Sequence, residues 1–99
     1  MNNIEQSALD KICELKGVSI DKTLSKSRKD GIAEVRQLYM YWLKLNTRHT
    51  LSKIGKLCGG RHYTTVIHGI ANIKDIIDTD YTTKQIWSEL NDYINEVKC

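Results

Sequence analysis

The sequence predicts an all-α fold, a compact helical bundle that contains a helix-turn-helix and carries an added helix at its C-terminal end. Three observations predict it. The 99 residues contain no proline and no phenylalanine, so nothing interrupts a helix and the aromatic bulk is tyrosine and tryptophan. Apolar residues recur at i, i+3, i+4 and i+7 along most of the chain, the spacing that collects them on one helical face. Finally, Gly59-Gly60 separates a short helical pattern from a longer one, and glycines take the left-handed backbone angles a sharp reversal needs. The length supports a single modest core, so residues 1–99 are read as one domain.

Element by element, Ile4, Ala8, Leu9, Ile12, Cys13 and Leu15 predict a first amphipathic helix from Ile4 to Lys16, stopped by Gly17. Val18 to Leu24 predicts a short second helix with Ser19 or Asp21 near its cap. A basic, polar connector follows, Ser25-Lys26-Ser27-Arg28-Lys29-Asp30-Gly31. The longest central helix is expected from about Ile32 to Asn46, with Ile32, Val35, Leu38, Tyr39, Trp42, Leu43 and Leu45 forming the core. Thr50 is the expected N-cap of a short helix ending at Cys58, with Leu51, Ile54, Leu57 and Cys58 inward and Lys53 and Lys56 outward. Beyond the glycines, Val66, Ile70, Ile73 and Ile77 form the buried stripe of the next helix, and His68 reads as a buried, hydrogen-bonded residue. A last helix, from Thr82 or Thr83 to residue 98, presents Ile86, Trp87, Leu90, Tyr93, Ile94 and Val97.

Charge divides the chain into two halves. Between Lys26 and His68 nine Lys or Arg residues face only Asp30 and Glu34, a net of +7, whereas three Lys face six carboxylates from Gly69 onward, a net of −3. One side of the domain should therefore attract phosphates, and the other should not. Two short helices joined by a glycine turn place the second helix in a DNA major groove. That helix begins with Arg61, His62, Tyr63 and Thr64, the expected base-contacting group. Arg61 suits either a bidentate guanine contact or a phosphate, and Thr64 a thymine methyl or a base edge. Phosphate contacts are expected from Arg36, Lys44, Thr47, Arg48, Ser52, Lys53 and Thr65, the last with capping as its alternative. Arg36 and Lys44, eight apart, should lie near one another around the helix axis. A basic arm beside a helix-turn-helix suits an A·T-rich minor groove, whose strong negative potential draws an arginine.

Other classes find little support. No run of about 18 apolar residues exists to cross a membrane, and the N-terminus lacks the layout of a secretion signal, so the expected location is the cytoplasm. Cys13, Cys58 and Cys99 are odd in number without a CxxC pair, which speaks against a disulfide framework. His49, Cys58, His62 and His68 fit no standard metal-ligand spacing. The glycine stretch lacks the Gly-Lys-Thr/Ser ending and the preceding strand of a phosphate loop, and no nucleophile-base set stands out. No enzyme activity, cofactor or metal is expected.

The string Gly59-Gly60-Arg61-His62-Tyr63-Thr64-Thr65-Val66-Ile67-His68-Gly69 resembles the signature of the C-terminal DNA-binding domain (domain IV) of the bacterial replication initiator DnaA, Gly-Gly-Arg-Asp-His-Thr-Thr-Val-Leu-His-Ala. The likeness continues through Ser25-Lys26-Ser27-Arg28, Ile32-Ala33, Arg36-Gln37 and Ile54-Gly55, and covers about residues 3 to 77. The resemblance implies a Trp repressor-like helical fold, double-stranded DNA as partner, and a role in replication initiation control or transcription regulation. It also implies that Arg28 is the minor-groove arginine and that Leu51 packs on a thymine methyl, although a leucine just inside a helix start is equally a staple into the core. Full-length initiators add an ATP-binding module that 99 residues cannot hold, so a stand-alone domain without ATPase activity is expected, of a kind suited to a phage or mobile element. A monomer is expected, its acidic last helix either sealing the bundle or engaging a replication or transcription protein. The alternative is an interaction module that keeps the fold and has lost DNA binding.

Departures from the family pattern fall at the site itself. His62-Tyr63 stands where the family has Asp-His, Ser52 replaces a proline, and Glu34-Val35 replaces Arg-Pro. A carboxylate accepts from the cytosine amino group, whereas a histidine offers one donor and one acceptor and suits guanine instead. The preferred DNA sequence is expected to shift accordingly.

Overall fold

Four of the helices start where a side chain takes up an otherwise unpaired backbone N–H. The computed structural model describes residues 3–26 and 30–98, arranged as α1 (Asn3–Lys16), α2 (Ile20–Thr23), α3 (Asp30–Asn46), α4 (Leu51–Leu57), α5 (Tyr63–Thr79) and α6 (Tyr81–Lys98). No strand occurs among the described residues. Ser19 Oγ caps α2 by accepting from Lys22 N–H, and Thr50 Oγ1 caps α4 by accepting from Lys53 N–H at 3.1 Å. Asp80 closes one helix and opens the next. Its N–H donates to Ile76 O at 2.7 Å, and its carboxylate accepts from the N–H and hydroxyl of Thr83 at 2.9 and 2.7 Å. That cap starts α6 at Tyr81, slightly earlier than the apolar spacing indicates.

Around α3 the other helices gather, with α1, α2, α4 and α5 packed against it and α6 laid across α1 and α5. Its Val35, Leu38, Tyr39, Met40, Trp42 and Leu43 are all buried, joined by Ala8, Leu9, Ile12 and Cys13 of α1, Ile54 of α4, Cys58, Val66, Ile73 and Ile77 of α5, and Leu90 and Ile94 of α6. Each fully buried aliphatic side chain contributes about 1.5–3 kcal/mol. Leu90 and Ile94 therefore make α6 part of the core. Its Trp87 also stacks on Tyr41, with ring centroids 4.9 Å apart. Among the described residues no helix is long and apolar enough to cross a membrane.

Three positions expected to be buried are exposed. Leu45 is 57% exposed although it shares a helix face with buried Leu38 and Trp42, because it lies in the last turn of α3. His68 is exposed because it lies two residues past buried Val66, about 200° around the helix from it, and one turn from exposed Thr64. Val97 is likewise exposed, at the far end of α6. Met40, outside the expected stripe, is buried because a central helix covered by several neighbours buries more than one face.

Candidate nucleic-acid interface

The turn between α4 and α5 is where side chains and backbone are most constrained. Gly59 and Gly60 adopt φ of +96° and +76°, left-handed values that other residues take only under strain. Arg61 N–H then donates to Gly55 O at 2.8 Å, bringing the chain so close to α4 that a Cβ on Gly55 would collide with the Arg61 carbonyl. The two helices of the motif are thus locked at one angle. The turn before α4 is held from another side, because His49 Nε2 lies 3.0 Å from both Glu5 carboxylate oxygens of α1.

α5 begins at Tyr63, with His62 as its N-cap, so Arg61 precedes the helix. The Arg61 guanidinium donates to Cys58 O at 2.8 Å and, across the fold, to Ser25 O at 2.6 Å. Arg36 is only 5% exposed and donates to Thr23 O at 3.1 Å. Arg61 therefore fastens the start of the basic connector to the helix-turn-helix, and Arg36 fastens the end of α2 to α3. Burial lowers the Arg36 pKa, and the nearby positive charge of Arg61 lowers it further. The pair lines a cleft of about 500 Å³ with Lys26, Ala33 and Thr65.

This arrangement corrects the expected role of Arg36. It is a buried tie to α2 rather than an exposed phosphate ligand beside Lys44, because its carbonyl partner lies inside the bundle. For Arg61, the fork that addresses guanine is turned onto the chain's own carbonyls. Thr47 uses its hydroxyl within the turn, donating to Leu43 O at 2.7 Å and accepting from His49 N–H at 3.2 Å. Leu51 is partly buried and packs against the core, which is the staple reading of that residue. Glu34 pairs with Lys16 of α1 at 3.6 Å and so turns toward α1.

The remaining expected residues within the described part of the chain are exposed. Tyr63, Thr64 and Thr65 are exposed on the first turn of α5, Ser52 and Lys53 on α4, and Lys44 and Arg48 at and just beyond the end of α3. Ser52, Lys56, Gly60, Arg61, His62 and Tyr63 line a second open cleft of about 720 Å³. Arg28 lies outside the described residues. Sequence reasoning left out Lys56 and Lys26, although each is a cation close to the glycine turn or the connector. It also left out Ile67, 45% exposed on α5, which its position three residues past Thr64 would have revealed.

His62 Nδ1 accepts from Thr64 N–H at 3.2 Å and lies 2.9 Å from Thr64 Oγ1. Its ring is tilted against Tyr63, with centroids 4.5 Å apart. Cys58, beneath the turn, is fully buried, and burial pushes its thiol up to about 12. The thiol is thus an apolar filler. Among the described residues no group of three or more His, Cys, Asp or Glu is placed to hold a metal ion.

The family described as the bacterial DnaA protein helix-turn-helix matches residues 6–73. The chain is similar to the chromosomal replication initiator protein DnaA of Oenococcus oeni, 43% identical over 79 residues, which are 80% of this chain and 18% of that protein. The corresponding protein of Picosynechococcus is 34% identical over 82 residues, 83% of this chain and 18% of the relative. That of Porphyromonas gingivalis is 48% identical over 52 residues, 52% of this chain and 11% of the relative. The chain spans less than a fifth of the length of these relatives. A glycine-locked pair of helices, an exposed polar start to the second helix and a match over residues 6–73 agree: the chain belongs to the bacterial DnaA helix-turn-helix family.

Proposed function

We propose that this chain binds double-stranded DNA sequence-specifically, inserting the first turn of α5 into the major groove. It acts in replication initiation control or transcription regulation, and the 99 residues do so without hydrolysing ATP. The observation that carries this reading is the glycine turn between α4 and α5, after which Tyr63, Thr64 and Thr65 are exposed, with Lys56 and Arg61 beside Tyr63 and Lys26 and Arg61 beside Thr65. Base edges are read by His62, Tyr63 and Thr64. Lys44, Arg48, Ser52, Lys53, Lys56 and Thr65 hold the flanking phosphates, which fix register without carrying sequence information. Arg28 enters the adjacent minor groove from the connector. Arg36 and Arg61 fix where that connector leaves the bundle, and Arg61 adds positive charge to both clefts.

Selection of bound duplexes from a random pool tests the reading. The expected result is enrichment of a short, gapless motif, with retained duplexes lost on Thr64→Ala. Recovery of an unenriched pool by the folded wild type would contradict sequence-specific binding.

A further inference from the structure

The polarity of one base contact can be worked out from the cap of α5. A backbone N–H can only donate, so the 3.2 Å bond from Thr64 N–H to His62 Nδ1 requires a lone pair on that nitrogen. The neutral ring then carries its hydrogen on Nε2. Thr64 Oγ1, 2.9 Å from the same Nδ1, donates its hydroxyl hydrogen to it as well. Because the two ring nitrogens face different directions, Nδ1 turned onto the Thr64 amide leaves Nε2–H aimed away from that first turn. The side chain is exposed there, and contact with the Tyr63 ring restricts its rotation.

We infer that His62 is a specificity-determining residue that presents a fixed hydrogen-bond donor to the major groove, selecting guanine and rejecting cytosine at one position of the bound site. This inference rests on the DNA-binding reading above. Guanine offers two acceptors in the major groove, N7 and O6, whereas cytosine offers the N4 amino donor, which a second donor repels. A histidine can in general serve as donor or acceptor. Here the helix cap uses the acceptor, and only the donor is left for the base. The same ring thus stabilises the start of α5 and sets the sign of the base contact.

The test is a random-duplex selection run in parallel with wild type, His62→Asn and His62→Asp. All three side chains can cap α5, since Asn and Asp also accept from the second amide of a helix, so the variants are expected to fold. Circular dichroism melting checks that. Asn keeps an outward donor when its oxygen caps, while Asp carries acceptors only. The expected result is one guanine-dependent position in the wild-type motif, kept by His62→Asn and changed to cytosine by His62→Asp. Inverting that G·C pair should weaken wild-type binding about five- to tenfold. A wild-type motif without a guanine-dependent position, or one that His62→Asp leaves unchanged, would overturn the inference while leaving DNA binding intact. Retention of no duplex by the folded wild type would overturn both.

Discussion

α5 and α6 are nearly equal in length, 17 and 18 residues, and are joined by Asp80 alone, yet their N-termini are finished in opposite ways. A helix N-terminus carries partial positive charge from its unpaired N–H groups. At α6 that charge is met by the Asp80 carboxylate, bonded to both the amide and the hydroxyl of Thr83. At α5 the cap is an imidazole, the first turn holds no acidic residue, and Lys56 and Arg61 line the adjoining cleft. One end is met by a carboxylate; the other is not. The same division runs through the sequence, which is basic before His68 and acidic after Gly69.

The largest expected effect lies beneath the end that a carboxylate caps. Leu90→Ala removes a fully buried side chain of α6 and should cost about 2–5 kcal/mol in denaturant unfolding, with duplex affinity per folded molecule unchanged. A loss of affinity in the folded fraction would mean that α6 takes part in binding. Next, a carboxylate is moved between the two ends. Thr64→Glu places it on the first turn of α5 and should weaken duplex binding at least about tenfold at low salt, since like charges brought together cost several kcal/mol. Thr82→Glu, on the exposed first turn of α6, should leave affinity within about twofold. Equal losses by anisotropy titration would erase the distinction between the ends.

A smaller effect concerns pH. The hydrogen bonds from Thr83 hold the Asp80 carboxyl below its usual value. Its contribution to stability is therefore present above the ordinary carboxylate pKa and is lost as pH falls through the depressed one. Asp80→Ala should lower the melting temperature at neutral pH and narrow its gap to wild type in acid; a constant gap across that range would count against the cap. The smallest expected effect is none at all. Cys58, with its thiol pushed up to about 12 by burial, should resist alkylation at pH 8 in the native protein and react promptly in denaturant, as followed by mass spectrometry.

The helices were legible because their apolar spacing is regular and unbroken by proline, and the turn was legible because glycines mark it. Side chains that bond to distant backbone were not. An arginine reads as surface, and nothing local to Arg36 or Arg61 reveals that the Thr23 and Ser25 carbonyls come within reach. Histidine is not among the usual capping residues, so the start of α5 at Tyr63 and the double use of His62 stayed hidden. Leu45 and His68 misled for other reasons. Leu45 shares a face with core residues but lies in the last turn of α3, whereas His68 adjoins Val66 in sequence while lying nearly opposite it around α5.

The central claim of the proposed function is that cations flanking the first turn of α5 grip duplex phosphates while that turn enters the groove. It is tested most directly by duplex affinity measured across a range of salt concentrations. With Lys44, Arg48, Lys53 and Lys56 each neutralising one phosphate, log affinity should fall against log salt with a slope of about −4. Binding insensitive to salt, or absent even at low ionic strength, would contradict it.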